Sequence, residues 1–409
     1  MQTTIRSLGS SGEGVGQDEE GKTLFIEGAL PGERVTYTIT DEKKSYAKGQ
    51  LLEILEPSKE RVTPPCPIFG ECGGCHIQHL SYPAQLEVKR QKVVDALQRI
   101  AKMDVEVAPC LPSPMPLHYR NKIQLPHRDG QIGLFRKHSH EIIPLKSCYI
   151  QCALGEKIYA WMKDKLPKSV RHLLIRNAIF NHEALVVLVS DGKENFQKLA
   201  KAVMDHFEEV KGVVLNINLH SNNRILGSVF KTLAGRPYII EKLAGLSFKL
   251  SAPSFFQVNS WQAEHLFAKA TSLIEQTDHV IDAFCGVGTL ALFAARKAKT
   301  VSGFEVVEEA ILDARENARL NHISNCRFEV GRAEKQELSC DTLLLNPPRK
   351  GLDPAIFDKI DARKIVYISC DPATLARDLP LFKKFKTISA QPIDMFPQTM
   401  HVETILTLQ

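Results

Sequence analysis

Cys370 stands in the stretch Ile368-Ser369-Cys370-Asp371-Pro372-Ala373-Thr374-Leu375-Ala376-Arg377-Asp378. The apolar run from Lys364 to Ile368 reads as a buried strand, and Asp371-Pro372 turns the chain into a helix with proline in its first turn. A thiol is thereby placed at the carboxyl end of a strand and beside a helix N-terminus. Open α/β sheets put ligands there, and a cysteine pKa tends to fall there, which makes a nucleophile. The plainer alternative is a buried cysteine that only closes the strand. The second group with chemistry is Glu403, in Met400-His401-Val402-Glu403-Thr404, at the start of the last strand. Its carboxylate could act as a base, although a glutamate at a strand start usually faces solvent. His401 is the nearby rival for that role.

Val280-Ile281-Asp282-Ala283-Phe284-Cys285-Gly286-Val287-Gly288-Thr289 is an apolar strand, an acidic residue and a Gly-x-Gly turn into a helix. Glycine there lets backbone approach a ligand closely. About twenty residues on, Glu305 ends the next strand with a carboxylate placed for ribose hydroxyls. A dinucleotide site prefers a third glycine, and Ala291 stands in its place. The acidic residue just before the turn instead resembles the S-adenosylmethionine motif of class I methyltransferases. Asn346-Pro347-Pro348-Arg349 closes the fourth strand. Amino methyltransferases follow a similar Asn-Pro-Pro with an aromatic residue that stacks on a flipped base, so Arg349 argues against exocyclic-amine chemistry.

A different methyl acceptor suits a thiol and a carboxylate. Carbon 5 of uracil is a poor nucleophile until a thiolate adds to carbon 6 and makes an enolate. A base must later remove the carbon 5 proton so that the thiol can leave. Cys370 and Glu403 match those two tasks.

The chain has ten cysteines, of which Cys66, Cys72 and Cys75 are bunched. The polar N-terminus lacks a signal-peptide core, and no run of about 18 apolar residues exists, so neither export nor a membrane span is expected. In a reducing cytoplasm bunched thiols bind metal sooner than they pair. Spacing alone leaves zinc, with His76 or His79 as fourth ligand, and an iron–sulfur cluster both open.

The elements that must position these groups are legible in outline. At 409 residues, two or three domains are expected, and a net charge of +5 permits nucleic acid without requiring it. Residues 1–58 read as a small β-barrel, with Val35, Tyr37 and Ile39 alternating with threonines and a basic loop at Lys43, Lys44 and Lys48. Residues 59–250 read as a central α+β region. It opens with the Pro- and Gly-rich cysteine loop and a helix at 86–100 whose Lys89, Arg90, Lys92 and Arg99 suggest a solvated face. Asp129-Gly130 marks a hairpin carrying Arg120, Lys122, His127, Arg128, Arg136, Lys137, His138 and His140 among Tyr119 and Phe135, a pattern suited to RNA. From 251 to 409 strands and helices alternate, which implies a doubly wound parallel sheet, with one of two closing strands, about 386–395 and 402–408, antiparallel.

GALPGERV, RVTPPCPIFGECGGCHIQHL, RNKIQ, SFFQVN, DAFCGVGTL, NPPRKG, SCDPATLARD and DMFPQTMHVE occur in that order along nearly the whole chain. In these strings the chain resembles the bacterial RNA uracil-5-methyltransferases, in the branch with an N-terminal TRAM barrel and an iron–sulfur cluster that methylates 23S ribosomal RNA. The resemblance implies a multidomain α/β protein: an OB-like TRAM barrel, a central α+β RNA-binding domain and a class I, Rossmann-like methyltransferase domain. It implies Cys370 as nucleophile and Glu403 as base, with Gln257, Phe284, Gly286, Gly288, Glu305 and Asn346 lining the S-adenosylmethionine site. The family usually has aspartate where Asn346 stands. It implies a [4Fe-4S] cluster on Cys66, Cys72, Cys75 and Cys148, with Cys152 the other candidate for the fourth thiolate. The implied partner is RNA, 23S ribosomal or transfer RNA, bound by a cytoplasmic monomer.

Overall fold

The computed structural model describes residues 1–220, 224–276 and 278–409. The first strands close a six-stranded sheet in the order Gln2–Thr4, Arg34–Glu42, Tyr46–Glu56, Thr23–Ile26, Gly14–Gln17 and Ser7–Leu8. Val35 and Tyr37 point inward, as their alternation with threonine requires, and meet Ile5, Leu24, Ile26 and Ala47. The expected basic loop is partly neutralised, since Lys43 pairs with Asp41 at 3.0 Å.

A seven-stranded mixed sheet follows, in the order Val229–Gly235, Val210–Ile217, Glu183–Ser190, His172–Ala178, Lys122–Arg128, Gln131–Phe135 and Ile142–Pro144. Asp129 (φ 52°) and Gly130 (φ 80°) both take the left-handed backbone that a tight hairpin needs. Helices Ala153–Met162 and Gln197–His206 cover one face through Ile158, Met162, Ala200 and Val203. The other face, through Leu174, Leu185 and Val187, shares a core with Val280 and Ile368 of the C-terminal sheet.

That last sheet runs Cys326–Val330, Thr300–Glu305, His279–Asp282, Leu338–Leu345, Ile360–Ser369, Glu403–Leu408, Thr387–Ile393. Its first five strands are parallel. Glu403–Leu408 is inserted antiparallel between Ile360–Ser369 and Thr387–Ile393. Helices Thr289–Ala295, Glu308–Leu320 and Pro372–Asp378 make the crossovers. Between Leu338–Leu345 and Ile360–Ser369 there is only a 3-10 turn, Pro354–Lys359, because Ile360 already enters the next strand. The order of connection reverses between His279–Asp282 and Leu338–Leu345, which opens a crevice at their carboxyl ends.

Helix Tyr82–Ala96 and its extension Leu97–Ala101 lie on the C-terminal sheet, where Val93, Leu97 and Val107 share a core with Leu343, Tyr367 and Leu406. Its basic side is only partly a wet face: Arg99 is exposed, but Lys89 is 0% exposed and its Nζ lies 2.5 Å from Asp394. An ammonium walled in by apolar groups needs a carboxylate, and that carboxylate comes from a segment three hundred residues away.

Candidate active site

The topology brings Asp282, Glu305, Asn346 and Cys370 to the carboxyl ends of four adjacent parallel strands. Asp282 is fully buried; one carboxyl oxygen accepts a 3.4 Å bond from the Phe284 N–H and the other has no partner. Burial pushes this carboxyl up to about 7, the Phe284 N–H works against that, and the charge of Glu305 adds to it. Gly286 (φ 53°) has open space where a Cβ would point, so a ligand can approach its backbone. At Gly288 (φ 82°) a Cβ would lie 3.1 Å from both Ala314 and Phe328, so the helix beginning at Thr289 seats only on glycine. One Glu305 oxygen accepts the N–H groups of Val306 (2.7 Å) and Val307 (3.0 Å). Gln257 is buried in the loop after Leu246–Ser251, and its carbonyl accepts from Asn121 Nδ2 at 2.9 Å. Phe284 and Asn346 are half-buried. An orphaned carboxyl oxygen, an open glycine and a second carboxylate at the next strand end fit a ligand rich in N–H and O–H donors.

Cys370 and Glu403 come together across strands. Ser369 pairs with Thr404, so the next residues outward, Cys370 and Glu403, are antiparallel neighbours at the same sheet edge. Glu403 is only 4% exposed, contrary to the usual wet strand start, because its strand is flanked on both sides. Burial pushes its carboxyl up to about 7, and the Arg349 guanidinium pulls the other way. Cys370 is half-buried. Burial raises its thiol above the ordinary value, Glu403 adds to the rise, and Arg349 opposes it by charge and by a hydrogen bond. The fall expected beside a helix N-terminus is therefore not found: the helix has seven residues, and burial with a neighbouring carboxylate outweighs it. The imidazole of His401 is pushed down to about 4, by burial first and then by the charges of Arg349, His76 and Lys92.

Arg349, which the sequence offered only as a departure from an aromatic residue, thus acts on both reactive groups. Its loop is fixed by the helix that follows Cys370. Thr374 Oγ1 donates to the Arg349 carbonyl at 3.2 Å and Arg377 to the Lys350 carbonyl at 2.8 Å. The Asp378 carboxylate takes the Leu352 N–H at 2.9 Å and the Tyr367 hydroxyl at 2.7 Å. The approach to Glu403 is held from outside the sheet. Lys89 donates to the Phe396 carbonyl, Tyr119 to that of Pro397 and Lys92 to that of Met400, and the Met400 N–H donates to His76 Nδ1.

Cys66, Cys72, Cys75 and Cys148 line one cavity of about 430 Å³. Cys152 is outside it, buried with its sulfur near Gln151 Nε2, and His76 is engaged by Met400. His79 is buried beside Phe69. Among the described residues no three His, Cys, Asp or Glu side chains are placed to hold a single ion.

Residues 2–52 match the TRAM domain family, residues 262–360 the methyltransferase small domain, and residues 329–409 the tRNA (Uracil-5-)-methyltransferase family. A Clostridium tetani protein described as an uncharacterized RNA methyltransferase is 40% identical over 437 residues, spanning 99% of this chain and 95% of that protein. A Halalkalibacterium halodurans protein of the same description is 39% identical over 443 residues, spanning 100% and 96%. Among solved structures, the Pyrococcus abyssi tRNA (uracil-54, C5)-methyltransferase in complex with S-adenosyl-L-homocysteine is similar over 100% of both chains, with a TM-score of 0.82 and 26% identity. With a TRAM barrel, a class I methyltransferase sheet and full-length RNA methyltransferase relatives, the chain belongs to the RNA (uracil-5-)-methyltransferase family.

Proposed function

We propose that this protein methylates carbon 5 of a uridine in 23S ribosomal RNA, using S-adenosylmethionine, Cys370 as nucleophile and Glu403 as base. The observation that carries the reading is the cross-strand pair of Cys370 and a buried Glu403, with Arg349 acting on both. The donor supplies an electrophilic methyl group, and Gln257, Phe284, Gly286, Gly288, Glu305 and Asn346 hold it with Asp282. Cys370 Sγ bonds to carbon 6 of a flipped-out uracil and makes carbon 5 electron-rich. After methylation Glu403 takes the carbon 5 proton, and the sulfur–carbon bond breaks. A carboxyl at about 7 is tuned for that task near neutral pH, whereas an imidazole at about 4 is a weaker base, so Glu403 is preferred to His401. Arg349 steadies the thiolate against its carboxylate neighbour.

The four cavity cysteines would hold a [4Fe-4S] cluster that ties the Pro-rich loop to the hairpin sheet and shapes the RNA cleft. In this reading 1–58 and the hairpin sheet grip RNA in the cytoplasm, and 251–409 does the chemistry. Transfer RNA is the second reading, favoured by the likeness to a tRNA methyltransferase. Mass mapping of RNA from a deletion strain tests the proposal: 5-methyluridine is expected to vanish from 23S ribosomal RNA. Loss from transfer RNA would overturn the substrate, and loss of an N-methylated base would overturn the chemistry.

A further inference from the structure

The basic residues of the hairpin region divide sharply. In the turn between Gln131–Phe135 and Ile142–Pro144, Arg136 pairs with Glu71 and Glu141, Lys137 with Glu27, and His138 lies 3.4 Å from Glu27. These groups dock the hairpin onto the cysteine loop and the barrel. Among the described residues Arg120 and Lys122, at the base of the hairpin, have no acidic partner; they line the cysteine cavity, and none of its described lining residues is acidic. Arg176 lies directly across the strand pair from Lys122. It is 2% exposed, donates through Nη2 to the Ser254 carbonyl, and leaves its other terminal nitrogen without a partner. The nearest carboxylate acting on it, Asp313, is already engaged by Ser254 and Lys249. His172 adds a buried, unpartnered Nδ1 to the same cavity. Burial, then Arg176 and Arg120, pull the Lys122 ammonium down to about 8.

Cations gathered in a cleft without carboxylates cost stability unless an anion arrives. We infer that Lys122 and Arg120, with the buried charge of Arg176 behind them, form a phosphate-binding site for the RNA strand, one that fixes the backbone beside the flipped nucleotide. The site adjoins the donor loop, since Asn121 bonds Gln257 and Arg176 bonds Ser254. This rests on the RNA reading above. The competing assignment is that the cations neutralise a cluster held by the cysteines.

The test uses the whole purified protein and two probes, unmethylated 23S ribosomal RNA and bulk transfer RNA from a deletion strain. Affinity is measured between 50 and 200 mM salt, the range over which phosphate contacts reveal themselves. Lys122→Met is expected to weaken binding of the recognised RNA about tenfold and to flatten the log–log salt slope by about 0.7–0.9, the amount for one lost phosphate contact. Lys122→Arg is expected to restore both, with S-adenosylhomocysteine affinity and visible absorbance unchanged throughout. Unchanged affinity and slope would overturn the site. Loss of visible absorbance in Lys122→Met would overturn it too, in favour of the counter-ion role. If the wild type binds neither RNA, the functional reading fails instead.

Discussion

Replacing Glu403 by Gln keeps the shape of the side chain and removes its ability to hold and release a proton. The carboxyl is fully enclosed and sits at about 7 against an ordinary 4.5. A difference of about 2.5 pKa units corresponds to roughly 3 kcal/mol. The sign follows from proton counting. Between pH 4.5 and 7 the native carboxyl keeps a proton that the unfolded one has released, so stability falls as pH rises through that window. Above pH 7 the wild type carries the whole cost of a buried charge, and Glu403→Gln carries none. The variant should therefore melt a few degrees higher than wild type at pH 8 and level with it near pH 4.5. Its turnover should fall by about 10²–10⁴-fold, the usual contribution of a general base. Because the lost step follows methylation, the enzyme should stop as a covalent RNA adduct that survives a denaturing gel. Normal turnover with no trapped RNA would refute the base assignment. A melting difference that ignores pH would refute the buried, proton-holding carboxyl.

Cys370→Ala should abolish turnover while calorimetry shows undiminished S-adenosylhomocysteine binding. Gly288→Ala forces a Cβ to 3.1 Å from Ala314 and Phe328 at a φ of 82°. The strain, about 1–3 kcal/mol, should appear as donor affinity lowered at least tenfold and as a lower melting temperature. Lys89→Met leaves the buried Asp394 carboxylate without its cation and with only the Tyr82 hydroxyl bond, which should cost about 3–5 kcal/mol in thermal melts, and adding Asp394→Leu should recover much of it.

The parallel sheet could be read in the sequence because each strand is a short apolar run ending at a polar or glycine signal; Thr300–Glu305 ends at Glu305, as expected. The pleat of Val35 and Tyr37 and the Asp129-Gly130 hairpin were legible for the same local reason. What stayed hidden depends on partners far along the chain. The burial of Glu403 comes from strands on both sides, and Lys89 looked like a surface residue until Asp394 was opposite it. The thiol of Cys370 was expected to be lowered by its helix, a local inference that burial reverses, with a cross-strand carboxylate adding to it. The basic hairpin region read as one charged surface, yet Glu27 and Glu71, from the barrel and the cysteine loop, neutralise Arg136 and Lys137 in the turn after Gln131–Phe135. Arg349 could have been singled out by asking what a cation does two residues after Pro347, beside a strand that ends in a thiol.

The most direct measurement uses substrate RNA carrying 5-fluorouridine at the modified position, incubated with enzyme and methyl donor and then digested for peptide mass spectrometry. Fluorine at carbon 5 cannot leave as a proton would, so the nucleotide should remain bonded to the peptide containing Cys370, with one methyl group added. Unmodified Cys370, or a nucleotide attached elsewhere, would contradict the account.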